Sequence, residues 1–469
     1  MKKSISIIII GCVTLLSCKK SFLTLQPQSQ ATSVAFYKTT ADISNAVIGA
    51  YAPLQSMYFG NFVTMMEARG DNVEDLNPGA NAGTEFNIDR FLAKSDNVDI
   101  TNAWGGASVN GPFGIYNGIS RCNNTLIHLD VVTNPALKSR FEGELKFLRA
   151  LHYFNIVRLW GAAPLVLSPI SADDAKKLSR NSVQELYTAI ESDLTQAITL
   201  LPVTYPNTAD LGRATQGAAK ALLGKVYLTE AKYPQAVSTL KDLVQAGNTY
   251  NYSLLPNVAA VFDVNNKMNA EIIFAVRFNK TIATQGHGLS TYFNQPGLDP
   301  KLIGAYESTD ARRDLLNTIT LDANDKPVKK YYDTFDPNTK TLGNDFIVLR
   351  YADVLLMYAE ALNEVGYSTD AVSYLNAVRS RAGASIYSPA GLPDQGSFRA
   401  AVLQERRLEL PLELHRWFDL IRTNTAIAAL QNSGLTPITI QAYQYLYPIP
   451  QSELDISTNK TGFIQNTGY

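Results

Sequence analysis

Cysteine, histidine and tryptophan are scarce in this chain of 469 residues, which contains three, four and three of them. The cysteines are Cys12, Cys18 and Cys122, and no CxxC or Cys/His spacing of a zinc site occurs. The histidines are scattered, and His152 lies in a stretch that predicts a buried helix, where a core histidine is expected. The sequence therefore predicts no metal site.

An excess of charge of either sign is also missing. The chain has 41 Lys and Arg against 42 Asp and Glu, a formal net charge of −1. Proteins that bind nucleic acid concentrate positive charge to neutralise phosphates, so no nucleic-acid partner is predicted. The GxSxG, HExxH and P-loop patterns are absent. The sequence therefore predicts no catalytic residue and no cofactor.

No apolar run reaches the roughly 20 residues that span a bilayer. The apolar stretch Ile5–Leu16 is shorter, follows Lys2 and Lys3, and ends at Ser17-Cys18. This arrangement resembles the lipobox of bacterial lipoproteins, in which the cysteine sulfur takes a diacylglycerol and the signal is cut before it. We expect a signal peptide over 1–17, lipid on Cys18 and a polar tether over 18–40. The alternative is an ordinary secretory signal with a chance cysteine nearby.

The same processing would leave one free thiol. Cys12 leaves with the signal and Cys18 becomes a thioether, so only Cys122 remains. The mature chain can then form no internal disulfide, and we expect Cys122 to be a small buried residue.

Beyond the tether, helices are predicted to dominate. Ser182 and Glu185 form a capping-box pattern. The stretch 140–160 has apolar residues on more than one face, which is typical of a helix buried among others. The four helices predicted in the first half cover residues 41–51, 116–129, 140–160 and 182–201.

Two segments resemble copies of one helical hairpin. Residues 222–240 and 355–375 each predict a helix, a short turn and a second helix, as in tetratricopeptide repeats. The alternative is a coincidence of generic helical patterns. The copies lie far apart, so the array is interrupted. Long intervals rich in Gly, Asn, Asp and Pro at 60–112 and 278–300 predict functional or disordered loops. The predicted fold is mainly all-α, with long loops and few short strands.

Several motifs resemble the SusD/RagB family. Residues 350–364 read RYADVLLMYAEALNE, and residues 375–383 read LNAVRSRAG. The resemblance continues in order along the chain, at residues 148–154, 161–164, 193–202, 405–410, 415–420, 447–450 and 465–469. It implies one domain over 41–469, with an N-terminal part 41–270 and a C-terminal part 271–469. It also implies helix pairs as a scaffold, with the loops between them building the ligand site.

The resemblance implies a function as well. Family members are lipoproteins of the outer membrane that face the cell exterior. They capture an oligosaccharide, or less often another nutrient, for a SusC-like TonB-dependent transporter. Acidic residues usually follow the lipidated cysteine of surface-destined lipoproteins, whereas Lys19 and Lys20 stand here. The direction in which the domain faces therefore stays open.

A sugar site needs accessible aromatic rings and planar polar groups. The candidate ligand-binding residues in the loop regions are Tyr58, Arg69, Asp71, Asn72, Trp104, Tyr292 and Phe293. Alternatively, Trp104 packs against the helices and residues 69–72 form a turn.

The motif around Glu405, Arg406, Arg416, Asp419 and Arg422 is dense in charge. Its spacing favours a structural role in which guanidinium groups and carboxylates join two helices. Two other functions stay possible from the sequence. One is a surface glycoside hydrolase, whose pair of carboxylates about 5–10 Å apart cannot be identified among 42 acidic residues. The other is a structural lid for the transporter that binds no ligand itself.

Overall fold

The structure is a computed structural model of the chain. It describes residues 36–60, 62–74, 83–105, 107–108, 111–112, 114–245, 247–282, 285–286, 297–320, 326–333 and 342–469.

Helices make up most of the described part. The long ones, in chain order, are α1 (Thr40–Phe59), α2 (Ile115–Leu126), α3 (Pro135–Trp160), α4 (Val183–Leu200), α5 (Gln216–Thr229), α6 (Tyr233–Val244), α7 (Tyr351–Val365), α8 (Thr369–Ala382) and α9 (Gln395–Glu409). Short α-helices cover Thr84–Asp89, Val98–Trp104, Ala172–Ala175, Pro300–Gly304, Arg312–Leu315, Arg416–Arg422, Ala426–Gln431 and Gln451–Ile456. A π-helical turn covers Val63–Glu67.

Strands are few and short. They are β1 (Val73–Glu74), β2 (Ala107–Ser108), β3 (Gly111–Pro112), β4 (Ile272–Val276), β5 (Gly297–Leu298) and β6 (Phe346–Arg350). They form three antiparallel pairs: β1 with β5, β2 with β3 and β4 with β6. The predicted mainly helical class with few short strands is confirmed.

The two longest predicted helices of the first half are confirmed. In α4, Ser182 Oγ accepts from the Glu185 amide at 3.2 Å, and Glu185 Oε2 accepts from the Ser182 amide at 2.7 Å. α3 ends at Trp160 as predicted but begins earlier, at Pro135, after the cap residue Asn134. Proline is favoured in a first helical turn because the amides there have no partner within the helix. Most of the second half of α3 is buried, as its apolar pattern predicts.

The prediction that the first helix ends near Tyr51 was wrong, because α1 continues through Pro53 to Phe59. Proline has no N–H, so the carbonyl four residues earlier loses its helical donor. That carbonyl belongs to Gly49, and Arg121 of α2 donates Nη1 to it at 2.9 Å. The contact supplies the missing donor and joins α1 to α2.

The helices form one continuous array. Each numbered helix packs against the next from α1 to α9, and α9 also packs against α7. The two predicted hairpins are α5–α6 and α7–α8, and α6 contacts α7 directly. The repeat is therefore interrupted in the sequence by residues 245–350 but continuous in space. This is the tetratricopeptide-like arrangement that the two similar segments predict.

Small residues let these helices approach closely. A Cβ added at Gly224 of α5 would lie 2.3 Å from Leu240 Cδ2 of α6. We expect Gly224→Ala to lower the free energy of unfolding by about 1–3 kcal/mol, since an overpacked core must shift. Denaturant unfolding measures this. Gly366→Ala is the control, because nothing lies within 4 Å of its added Cβ. Equal stability of the two variants would contradict this packing.

The predicted structural role of the charged motif is confirmed. Arg406 Nε donates to Asp419 at 2.9 Å, and its Nη1 donates to Asp353 of α7 at 2.8 Å. Glu405 accepts from Arg312 at 2.5 Å and from Arg379 of α8 at 2.6 Å. These groups are buried and join α9 to its neighbours.

Candidate ligand-binding site

The predicted binding residue Arg69 lies inside the protein, with 1% of its surface exposed. Its guanidinium carbon lies 3.5 Å from the centre of the Tyr447 ring and 4.7 Å from that of Phe91. Nη1 donates to the Gln444 carbonyl at 2.7 Å. Arg69 therefore fastens its segment to the C-terminal part of the chain and is out of a ligand's reach.

Asp71 and Asn72 are also buried and also bond residues of the C-terminal part of the chain. Arg416 donates Nε and Nη2 to the two Asp71 oxygens at 2.6 and 2.9 Å. Burial alone would raise the pKa of the Asp71 carboxyl, but the Arg416 guanidinium lowers it below its ordinary value. Arg407 donates to the Asn72 side-chain oxygen at 2.8 Å. Residues 69–72 thus anchor the chain just before β1.

Trp104 and Tyr58 are buried as well, at 3% and 4% exposure. The Trp104 ring packs against Tyr116 at 5.1 Å and Trp160 at 5.2 Å between ring centres. The Tyr58 hydroxyl accepts from Asn155 at 3.3 Å. Trp104 therefore packs against the helices, as the alternative reading of the sequence predicts, and its ring is not accessible to a ligand.

The remaining predicted positions, Tyr292, Phe293 and the lipidation residue Cys18, lie outside the described residues.

The short pair β1–β5 brings the two predicted loop regions together. Val73 pairs with Leu298 and Glu74 with Gly297. The segment after β1 and the segment before β5 therefore start from the same end of one antiparallel pair. A Cβ at Gly297 would lie 2.7 Å from the Glu74 carbonyl oxygen, so only glycine permits this approach. Beneath the pair, the Asp299 amide donates to the Asn72 carbonyl at 2.8 Å.

An exposed aromatic ring stands beside this pair. Phe86, on the helix Thr84–Asp89, is 50% exposed. The Arg90 guanidinium carbon lies 5.7 Å from its ring centre, and Arg90 Nη2 donates to Glu74 Oε2 at 3.0 Å. The Thr436 amide donates to the same oxygen at 3.2 Å. We call Phe86, Arg90 and Glu74 the Phe86 face.

The Phe86 face combines what sugar recognition requires. The ring offers a flat apolar surface for sugar C–H groups, and the guanidinium and carboxylate beside it can bond hydroxyls. The sequence prediction missed these residues, because nothing in the local pattern marks Phe86 as exposed. The one usable signal is that an aromatic residue follows a Gly- and Asn-rich segment.

In the part of the chain that the structure describes, no group of three or more His, Cys, Asp or Glu side chains is arranged to hold a metal ion. None of the helices in that part combines the length and the apolar character needed to cross a bilayer.

Two family models match the chain in succession. Residues 21–228 match a model described as starch-binding and associating with the outer membrane, and residues 276–469 match the SusD family model. The chain belongs to the SusD/RagB family. The similarity to SusD-like relatives extends over nearly all of it. SusD-like proteins P25 and P2 of Formosa agariphila are each 27% identical, over 94% and 98% of both chains.

A solved structure of a SusD-like protein supports the same assignment. It is a laminarin-binding SusD-like protein, 26% identical, with a TM-score of 0.78 over 92% of this chain and all of that chain. The family is one of starch- and glycan-binding proteins.

Proposed function

We propose that the protein captures an oligosaccharide on the Phe86 face. The observation that carries this proposal is the half-exposed Phe86 ring beside the Arg90–Glu74 pair, where two loop regions start from β1–β5. The laminarin-binding relative supports a glycan as the ligand class. Capture is reversible binding, and no bond of the sugar is made or broken.

The bound oligosaccharide then passes to a SusC-like TonB-dependent transporter of the outer membrane. The family resemblance and the outer-membrane description of the matching family model support this step. The test is purification of the affinity-tagged chain from outer membranes in mild detergent. We expect a TonB-dependent barrel to co-purify with it, and repeated recovery of the chain alone would contradict the partnership.

Lipid on Cys18 would hold the protein on this membrane. Each buried CH₂ of an acyl chain contributes about 0.8 kcal/mol, and stable anchoring takes more than one chain. Labelled palmitate should enter the wild-type chain and not Cys18→Ser. Protease digestion of intact cells tests the outward orientation, which Lys19 and Lys20 leave open. Complete protection of the domain would overturn it.

We expect Phe86→Ala to weaken binding of a neutral hexasaccharide about tenfold, since an aromatic contact contributes roughly 1 kcal/mol beyond the area it buries. Titration calorimetry measures the dissociation constant. Tyr374→Ala is the matched control, because Tyr374 is a partly exposed aromatic on the scaffold helix α8. Equal weakening by both variants would contradict binding at the Phe86 face.

The same protein distinguishes glycan capture from two alternatives, a glycoside hydrolase and a structural lid. A glycoside hydrolase would release shortened sugars, and this cleavage would disappear when one carboxylate is replaced. A structural lid would bind no glycan, yet deletion of the protein would still block uptake. Binding without cleavage supports capture.

A further inference from the structure

We infer that the Phe86 face selects uncharged oligosaccharides and rejects polyanionic ones, such as sulfated or uronic-acid glycans. This inference rests on the proposed function and names the substrate class of the same site.

The described residues at and beside the Phe86 face carry more acidic than basic groups, although the whole protein is close to neutral. Glu74 and residues 83–99 include five acidic and two basic residues, a formal net charge of −3, whereas the full chain carries −1.

The one cation of the Phe86 face is already engaged by two carboxylates. Arg90 Nη2 lies 3.0 Å from Glu74, and Arg90 Nε lies 3.3 Å from Asp89. A sulfate or uronate that approached the Phe86 ring would compete with both carboxylates for this guanidinium. It would also be repelled by them, since like charges at short range near a protein surface interact strongly.

The second cation of the segment, Lys94, lies two positions from an acidic residue, Asp96. Lys94 and Asp96 are both exposed and flank Ser95 in the same turn. The Asn97 side-chain amide donates to the Thr84 carbonyl at 3.3 Å, which holds this turn beside the helix that carries Phe86. The turn therefore adds no net positive charge near the ring.

A neutral sugar meets none of these obstacles. Its C–H face can cover the Phe86 ring, which needs no counter-charge. Its hydroxyls can donate to Glu74 and accept from Arg90 without breaking their mutual contact, because a carboxylate accepts several bonds and a guanidinium has five N–H groups. The face is thus complementary to an uncharged, hydroxyl-rich surface.

The experiment compares hexasaccharides of similar length by titration calorimetry. The neutral probes are laminarihexaose, maltohexaose and cellohexaose; the anionic probes are hexagalacturonate and a sulfated carrageenan hexasaccharide. We expect at least one neutral probe to bind at least tenfold more tightly than either anionic probe at low salt. Added salt should reduce the difference in affinity between neutral and anionic probes, since it screens repulsion between exposed charges.

A charge reversal tests whether negative charge beside the ring causes the selectivity. Asp96→Lys should improve anionic binding at low salt several-fold and leave neutral binding unchanged. Asp242→Lys on α6, an exposed acid of the scaffold, is the matched control and should change neither. Anionic binding as tight as neutral binding would overturn the selectivity and leave glycan capture standing. Absence of binding to every probe would overturn glycan capture, and the selectivity with it.

Discussion

Replacing Arg350 with methionine is expected to lower the free energy of unfolding by about 3–5 kcal/mol, because it removes one side of a buried ion network. Arg350 is 1% exposed and stands at the junction of β6 and α7. Its guanidinium donates to Glu271 at 3.0 Å, to Glu409 at 2.6 Å, and to both oxygens of Glu413 at 2.7 and 2.9 Å. Methionine would leave these carboxylates buried without that partner.

Arg399→Met is the control for this variant. Arg399 also forms a pair of bonds to a carboxylate, that of Glu364, at 2.7 and 2.6 Å. Its side chain is 44% exposed, however, and surface pairs contribute only about 0–1 kcal/mol. Guanidinium chloride unfolding compares the two variants. A loss below 1 kcal/mol in Arg350→Met would contradict the role assigned to the network.

The stability lost on acidification from pH 7 to pH 4.5 is expected to be about 2–3 kcal/mol larger in Glu67→Gln than in the wild type. Burial lowers the pKa of His152 and of His415 from 6.5 to about 3. The unfolded chain therefore binds protons in this window that the folded chain does not, and stability falls as the pH falls. Glu67 and Glu230 oppose this, because burial raises the pKa of each carboxyl from 4.5 to about 7 and the folded chain takes up those protons first.

Below pH 4.5 the buried carboxylates add to the loss. Burial alone would raise the pKa of Glu409, but Arg381, Arg350 and Arg312 hold it well below 4.5. Stability from such a group is present above its unfolded pKa and is lost as the pH falls below it.

Glu67→Gln separates these contributions. Without this opposing group, the variant should lose about 2–3 kcal/mol more stability than the wild type between pH 7 and pH 4.5. Chemical unfolding at each pH gives the free energies. Parallel pH profiles of the two proteins would contradict the assignment.

Much of the scaffold could be predicted from the sequence, since local chemistry decides it. Ser182 and Glu185 fix the start of α4, and the apolar residues of α3 require burial on several sides. The length of α1 could not be predicted in this way. Pro53 leaves the Gly49 carbonyl without its helical donor. The replacement donor is Arg121, which lies 72 positions away along the chain.

The candidate site was less predictable, because exposure is a property of the whole fold. Arg69 and Trp104 have the right chemistry for a sugar, but partners from distant parts of the chain enclose them. No local sequence pattern marks Phe86 as exposed. Its exposure depends on the way residues 84–90 lie beside β1, where Arg90 bonds Glu74. Spacing identified the groups that hold helices together, as Arg406 and Asp419 show.

Amide hydrogen exchange with and without a saturating neutral hexasaccharide tests glycan capture at the Phe86 face most directly. Ligand contacts slow the local openings that permit exchange. We predict slower exchange in residues 83–90 and 297–298 on binding, with α6 and α8 unchanged. Protection confined to the helix pairs α5–α6 and α7–α8, with none in residues 83–90, would contradict the proposed site.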